Sequence, residues 1–160
     1  MSQPTSSNLA LYNKFAAMPM GKAIFSKLVC FKAPYFASIK PLLSELKPGF
    51  AEVKVRKHRA VLNHLNTVHA IAMCNMAELA GGMVTDATVP NTHRWIPKHM
   101  DVDYLKKATT DVVAHAHFAP LDNWPDSGDF IARVDIKNLQ DEVVAHMDIT
   151  MYVTRKPAKG

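Results

Sequence analysis

Residues 62–82 read LNHLNTVHAIAMCNMAELAGG, and the second half of this stretch decides the fold. From residue 67 to about residue 85 there is no proline and much Ala, Met and Leu, with Thr67 placed as an N-cap, so a helix is predicted. Glu78 is the only charged group between His69 and Asp86, and a helix so apolar should be buried nearly all round. A lone carboxylate in such a place is costly unless something pairs it or uses it. Desolvation favours the protonated form of any buried carboxylate, which suits a base or nucleophile working near neutral pH. The plainer reading is that Glu78 pairs with an Arg or Lys, or reaches solvent. At the other end, Asn63, His64, Asn66 and His69 crowd the entry to the helix. Free N–H groups and the helix dipole at that point favour a negatively charged oxygen. Simple capping by Asn66 or Thr67 is compatible with the same arrangement.

Outward from this helix the texture changes on both sides. Residues 1–8 are polar and expected to fray. Residues 9–46 read as two or three short helices, punctuated at Pro19-Met20-Gly21 and Ala33-Pro34 and stopped by Lys47-Pro48-Gly49. Residues 50–62 read as an extended strand. After Pro90 come strands near residues 94–104, 111–118, 130–138 and 143–154. The last two alternate well through Ile131, Val134 and Ile136, then Val144, Met147, Ile149, Met151 and Val153. The order is helices followed by β-α-β-β-β-β. It predicts an α+β architecture in which one long helix lies in the concave face of a curved antiparallel sheet of about five strands. The expected boundaries are an N-terminal helical extension over 1–48, a domain over 49–156 and a tail over 157–160.

Composition narrows the function classes. The chain has 160 residues, 48% of them hydrophobic and 21% charged, enough for one core without covalent staples. Two distant cysteines, Cys30 and Cys74, support neither a disulfide framework nor a thiolate metal site and fit a reducing, cytoplasmic location. No secretory leader is readable. The apolar window 23–46 is broken by Lys27, Lys32, Pro34, Lys40 and Pro41, so no stable membrane insertion is expected. A net charge of +5 attracts anions in general. No RNP, helix-turn-helix or zinc-finger pattern accompanies it, so nucleic acid is not the expected partner. His115 and His117 share one face of a strand but lack an identifiable third ligand, so no metal is expected. The absence of GxSxG argues against a serine nucleophile, and Cys74 reads as a small core residue.

Residues 64–82, HLNTVHAIAMCNMAELAGG, resemble the core motif of hotdog-fold acyl-CoA thioesterases, closest to the branch with phenylacetyl-CoA-pathway and hydroxybenzoyl-CoA thioesterases. That family has an Asn or Gln ending a strand, a His-Gly-Gly at the helix start, and an Asp or Glu nine residues after the His. Asn63 matches the amide, and His69 and Glu78 keep the nine-residue spacing. Residues 100–108, MDVDYLKKA, resemble the strand after the helix. The resemblance covers about residues 50–154, and the whole chain is similar to a branch with the same helical extension. It implies a hotdog fold, hydrolysis of an acyl-CoA, no cofactor beyond the coenzyme A of the substrate, and a homodimer or dimer of dimers. It implies Glu78 as base or nucleophile, Asn63 and the Ala70 N–H as oxyanion donors, and His69 assisting. Among the basic residues, most of which read as a solvated face, Lys106 and Lys107 are the expected contacts to the coenzyme A phosphates, and His64 and Gly82 are the other expected substrate contacts. The departure is that His-Gly-Gly has become His69-Ala70-Ile71. A backbone N–H needs no particular side chain, but a β-carbon restricts close approach of a thioester.

Helix geometry adds an independent constraint. Nine residues at ~100° each make about two and a half turns, so His69 and Glu78 point to opposite sides, on the order of 13 Å apart along the axis. They cannot serve one thioester within one chain. Two such helices packed antiparallel about a two-fold could share the work, with Ala70, Ala77, Ala80 and Gly81 easing their approach. Two other readings remain. His64 lies fourteen residues before Glu78, as in hotdog dehydratases, though their Pro-Gly-Val helix entry is missing. A non-catalytic acyl-CoA binding module would tolerate the lost glycines. Residues 9–46 carry too much apolar surface for a free tail; they pack on the sheet, wall the acyl tunnel, or touch a membrane through their lysines.

Overall fold

The computed structural model describes residues 6–157; the expected fraying of residues 1–5 and the end of the tail, residues 158–160, lie outside the described residues. Residues 6–8 are not frayed. Ser6 caps helix α1 (Ser7–Ala16), its Oγ accepting the Leu9 N–H at 3.1 Å. Ser6 Oγ and Asn8 Nδ2 both donate to Asp86 Oδ2, at 3.1 and 3.0 Å. The chain then turns into α2 (Gly21–Lys32). A Cβ on residue 21 would stand 1.7 Å from the Phe15 carbonyl oxygen, so only glycine permits this corner. A 3-10 turn over Pro34–Ile39 ends the helical part.

The expectation of helix up to residue 46 is corrected by strand β1 (Leu42–Lys47), which pairs antiparallel with β2 (Phe50–Val55). Pro48-Gly49, read as a helix stop, is the turn of this hairpin, and Gly49 takes the φ of +82° that the turn needs. β2 ends at Val55 rather than residue 62, with a short 3-10 turn at Arg59–Val61 before the long helix. That helix, α3 (Ala70–Thr88), is capped by His69, two residues later than the expected cap at Thr67. Thr67 does not cap because its hydroxyl is held by Asn63, whose Nδ2 donates to it at 2.9 Å.

The remaining strands are β3 (His93–Tyr104), β4 (Val112–Phe118), β5 (Ser127–Lys137) and β6 (Val143–Arg155), within a few residues of expectation. All six strands form one antiparallel sheet in the order β1-β2-β4-β5-β6-β3, one strand more than predicted. Strand β1 lies before the boundary expected at residue 48 and is hydrogen-bonded into this sheet.

α3 lies on the concave face. Met73, Met76, Ala77, Ala80 and Val84 bury their side chains against strand residues such as Val53, Ala114, Val134 and Ile149, all essentially sealed from water. A Cβ on Gly81 would come within 2.9 Å of Ile149 Cδ1. Ala77, Ala80 and Gly81 are therefore small so that α3 can sit close on its own sheet, not on a partner helix. Nor is α3 buried all round: Ile71 is 55% exposed, Cys74 is half-buried and Glu78 is exposed. The sheet covers one side of the helix and the N-terminal segments cover another, leaving this stripe open.

Candidate functional site

Glu78 stands on the open stripe of α3, four residues after Cys74 and seven after Ile71, hence on one face. The burial expected for its carboxylate is not found within a single chain. Instead Glu78 borders a cleft of about 320 Å³ that also takes Gly82, Val29, Phe36, Trp95 and Pro97 into its walls. Its lining is mostly apolar; Lys32 and Asp86 are the other charged members. Gly82 has a specific reason to lack a side chain, because a Cβ there would meet Trp95 Cη2 at 3.0 Å. Val29, Ala33 and Phe36 come from the N-terminal helical segments, which therefore wall the cleft beside Glu78.

The entry to α3 forms a second cluster. His69 Nδ1 accepts the Ile71 N–H at 3.0 Å, and the His69 N–H donates to Val61 O at 2.7 Å, so both the ring and the backbone are fixed. The Ala70 N–H, at the first helical position, has no acceptor within the helix. Asn63 shapes the loop that presents it. Its Oδ1 accepts the N–H groups of Leu65 and Thr67 at 3.0 and 3.1 Å, while Nδ2 gives one hydrogen to Thr67 Oγ1. Asn66 holds a φ of +58°, a conformation asparagine tolerates better than most residues. His64 is exposed in the same loop. The Val68 N–H donates to Ala108 O at 2.8 Å and draws residues 106–108 to the helix start. Of the two expected phosphate contacts there, Lys106 is paired with Glu142 at 2.6 Å, and Lys107 is exposed.

The structure thus brings Asn63, His64, His69, Ala70, Lys106 and Lys107 to one end of α3, and Glu78 with Gly82 to its middle. Eight residues separate Ala70 from Glu78, about 12 Å of helix, so one chain does not unite them.

Two residues near Glu78 were missed by the sequence reading. Cys74, taken there for a core residue, is half-buried on the Glu78 stripe, with Sγ 3.1 Å from the Tyr104 hydroxyl at the end of β3. The Cys74 thiol, helped by partial burial, pushes the Tyr104 phenol up to about 12, so its proton stays on at neutral pH. The four-residue spacing from Cys74 to Glu78 was the available signal; nothing local pointed to Tyr104, thirty residues away. His115 Nε2 lies 3.1 Å from Glu52 Oε2, with the Phe50 ring packed against both His115 and His117. Among the described residues no group of three or more His, Cys, Asp or Glu could hold a metal ion. No helix among them is long and apolar enough to cross a membrane.

A family model described as "Domain of unknown function (DUF4442)" matches residues 21–153. No curated protein matches the chain. Among solved structures, that of a genomics target is 44% identical, covers 93% of this chain and 99% of its own, and superposes with a TM-score of 0.81. A Pseudomonas aeruginosa protein of unknown function, described as a probable thioesterase, is 19% identical over 87% of this chain and 97% of its own, with a TM-score of 0.73. A thioesterase from Haemophilus influenzae is 12% identical over 76% and 82%, with a TM-score of 0.67. At those identities the last two establish the fold. The expected hotdog architecture, a central helix wrapped by a curved antiparallel sheet, is the one this chain has.

Proposed function

The chain belongs to the DUF4442 family, and we propose that it hydrolyses acyl-CoA thioesters in the cytoplasm, as a homodimer or dimer of dimers whose sites are each shared by two chains. The observation that carries this reading is Glu78, a carboxylate held in the wall of an apolar cleft in which no cation among the described residues is hydrogen-bonded to it. Such a cleft accepts an acyl chain, and its carboxylate is available for a reacting water. In this reading the partner's α3 entry faces Glu78 across the two-fold and supplies the Ala70 N–H to the thioester oxygen. Glu78 takes a proton from water as the water oxygen bonds to the carbonyl carbon, or its own oxygen makes that bond and the resulting anhydride is then hydrolysed. The negative charge formed on the carbonyl oxygen is held by the Ala70 N–H and by the second hydrogen of Asn63 Nδ2. Collapse breaks the carbon–sulfur bond, and coenzyme A leaves as thiolate to be protonated.

His69 positions the helix entry. His64 and Lys107 lie where the phosphates of coenzyme A would meet cationic or polar groups, and Lys106 reaches them on release from Glu142. Gly82 keeps the cleft open above Trp95. No cofactor is invoked, and two free thiols suit a reducing compartment. One observation favours a non-catalytic acyl-CoA binder instead: the Asn63 carbonyl and one of its amide hydrogens are consumed within their own loop.

The two readings part on turnover. Glu78→Gln keeps the shape and removes the base. Thiol release from a panel of acyl-CoAs should fall at least ~100-fold in the folded variant. Turnover equal to that of the wild type would remove Glu78 from the mechanism, and binding without thiol release in the wild type would make the protein a carrier.

A further inference from the structure

The first 44 residues contain five lysines, Lys14, Lys22, Lys27, Lys32 and Lys40, and no carboxylate; the acids begin at Glu45. From there on cations and carboxylates balance, so the whole formal net charge of +5 resides in this segment. The fold then turns apolar side chains of the same segment outward. α2 buries Phe25 on its inner side, yet Ile24, Leu28 and Phe31, at i, i+4 and i+7, are 42%, 41% and 85% exposed. Tyr35, at 71%, follows them into the 3-10 turn, and Met20, at 81%, precedes them. At ~100° per residue Lys27 and Lys32 fall on opposite flanks of the Ile24–Leu28–Phe31 stripe. A soluble helix normally presents its polar side to water. α2 presents an apolar stripe bordered by cations.

We infer that α2 and the turn after it dock in the plane of an anionic lipid bilayer, with Ile24, Leu28, Phe31 and Tyr35 entering the headgroup boundary and the flanking lysines meeting acidic headgroups. The charge decides between occupants. A second copy of this chain packed through the same face would bring a like-charged, carboxylate-free segment against the first, and no carboxylate within either segment would neutralise the lysines. An anionic membrane neutralises them and takes up the apolar stripe together. The neighbouring groove repeats the same chemistry. About 800 Å³ in size, it has an apolar floor that includes Cys30, Pro41 and Leu42 and a rim that includes Lys27 and Lys40, with Lys54 beside them already paired to Glu52 at 3.1 Å. Its one carboxylate, Asp111, already accepts the Lys57 N–H at 2.8 Å. No span is involved, since α2 has twelve residues. The docked surface includes the helix whose Val29 walls the Glu78 cleft, so the cleft lies next to the membrane.

The test is flotation of the full chain with phosphatidylcholine vesicles, with and without phosphatidylglycerol. Binding is expected only with phosphatidylglycerol and should weaken as salt is raised. Leu28→Ser with Phe31→Ser, and separately Lys27→Glu with Lys32→Glu, should each weaken it at least about tenfold. All four side chains are exposed, so folding is preserved, and light scattering on the variants should give the wild-type mass. Failure of the wild type to float, equal binding to neutral vesicles, or unchanged binding by the variants would overturn the inference. So would a smaller particle for the Leu28→Ser, Phe31→Ser variant, because a second copy would then cover the stripe. None of these results depends on thioester hydrolysis.

Discussion

The two edges of the sheet are finished in opposite ways. At β1 the chain covers itself. The outward N–H of Leu43 donates to Ser26 Oγ at 2.9 Å, and the Ser44 carbonyl accepts from Tyr12 Oη at 3.0 Å and Lys22 Nζ at 2.6 Å. Phe25, 1% exposed, packs against Tyr12 edge-on at 5.3 Å and helps close the N-terminal helices over that edge. At β3, twelve residues long, no group among the described residues hydrogen-bonds the outer edge from Ile96 to Tyr104. Ile96 is 61% exposed, Tyr104 51%, and Met100 and Val102 are half-buried beside them. Long bare edges invite another strand. The contrast teaches where the proposed second copy would pair: the helical extension has made one edge private and left the other, beside Cys74 and Glu78, bare.

Breaking the bare edge should have the largest effect. Ile96→Lys with Val102→Lys places charges where a partner strand would pair. The variant should run as a monomer in light scattering and lose thiol release at least ~100-fold, because a split site needs both chains. A dimer of unchanged mass would place the interface elsewhere. Breaking the covered edge should instead cost stability and leave assembly alone. Phe25→Ala should lower the unfolding free energy by about 3–5 kcal/mol in urea titrations while the particle mass stays constant. A change of mass there would mean that the extension takes part in the interface.

The smallest effect comes from the middle of the sheet, which serves neither edge. His146 of β6 is raised above its ordinary 6.5, first by its hydrogen bond to Asp135 at 2.6 Å, against burial, and further by the charges of Asp135 and Asp148. Protonated His146 therefore adds stability below that ordinary value, and the contribution is lost as pH rises through the raised folded value. The urea midpoint should decline over that window in the wild type and stay flatter in His146→Gln. An equal decline in both would assign the pH dependence to other groups.

Much of this was legible in the sequence because burial writes itself as period. The alternation of β5 and β6 and the unbroken apolar run of α3 placed the core of the fold. β1 was not legible: LLSELK does not alternate, and it is extended because the Gly49 turn lays it on β2 with a register shift between Leu43 and Glu45. Glu78 stood out as a lone charge, yet its exposure was hidden. An all-round apolar helix looks the same whether its last face meets its own chain or, as proposed, a partner. The small residues of α3 misled for a related reason, since close approach to a sheet and to another helix call for the same side chains. The Cys74–Tyr104 contact joins two distant elements and leaves no local pattern.

The claim that each site is built from two chains can be tested on Ala70 itself. Proline at a first helical position keeps the helix and lacks only the N–H, and His69 before it is already extended, with ψ of 139°. Ala70→Pro and Glu78→Gln should each be inactive alone. Mixed, unfolded and refolded together in equal amounts, they should recover about a quarter of wild-type thiol release, since half the dimers are then mixed and each has one intact site. Heterodimers shown to form without recovered turnover would contradict the shared site.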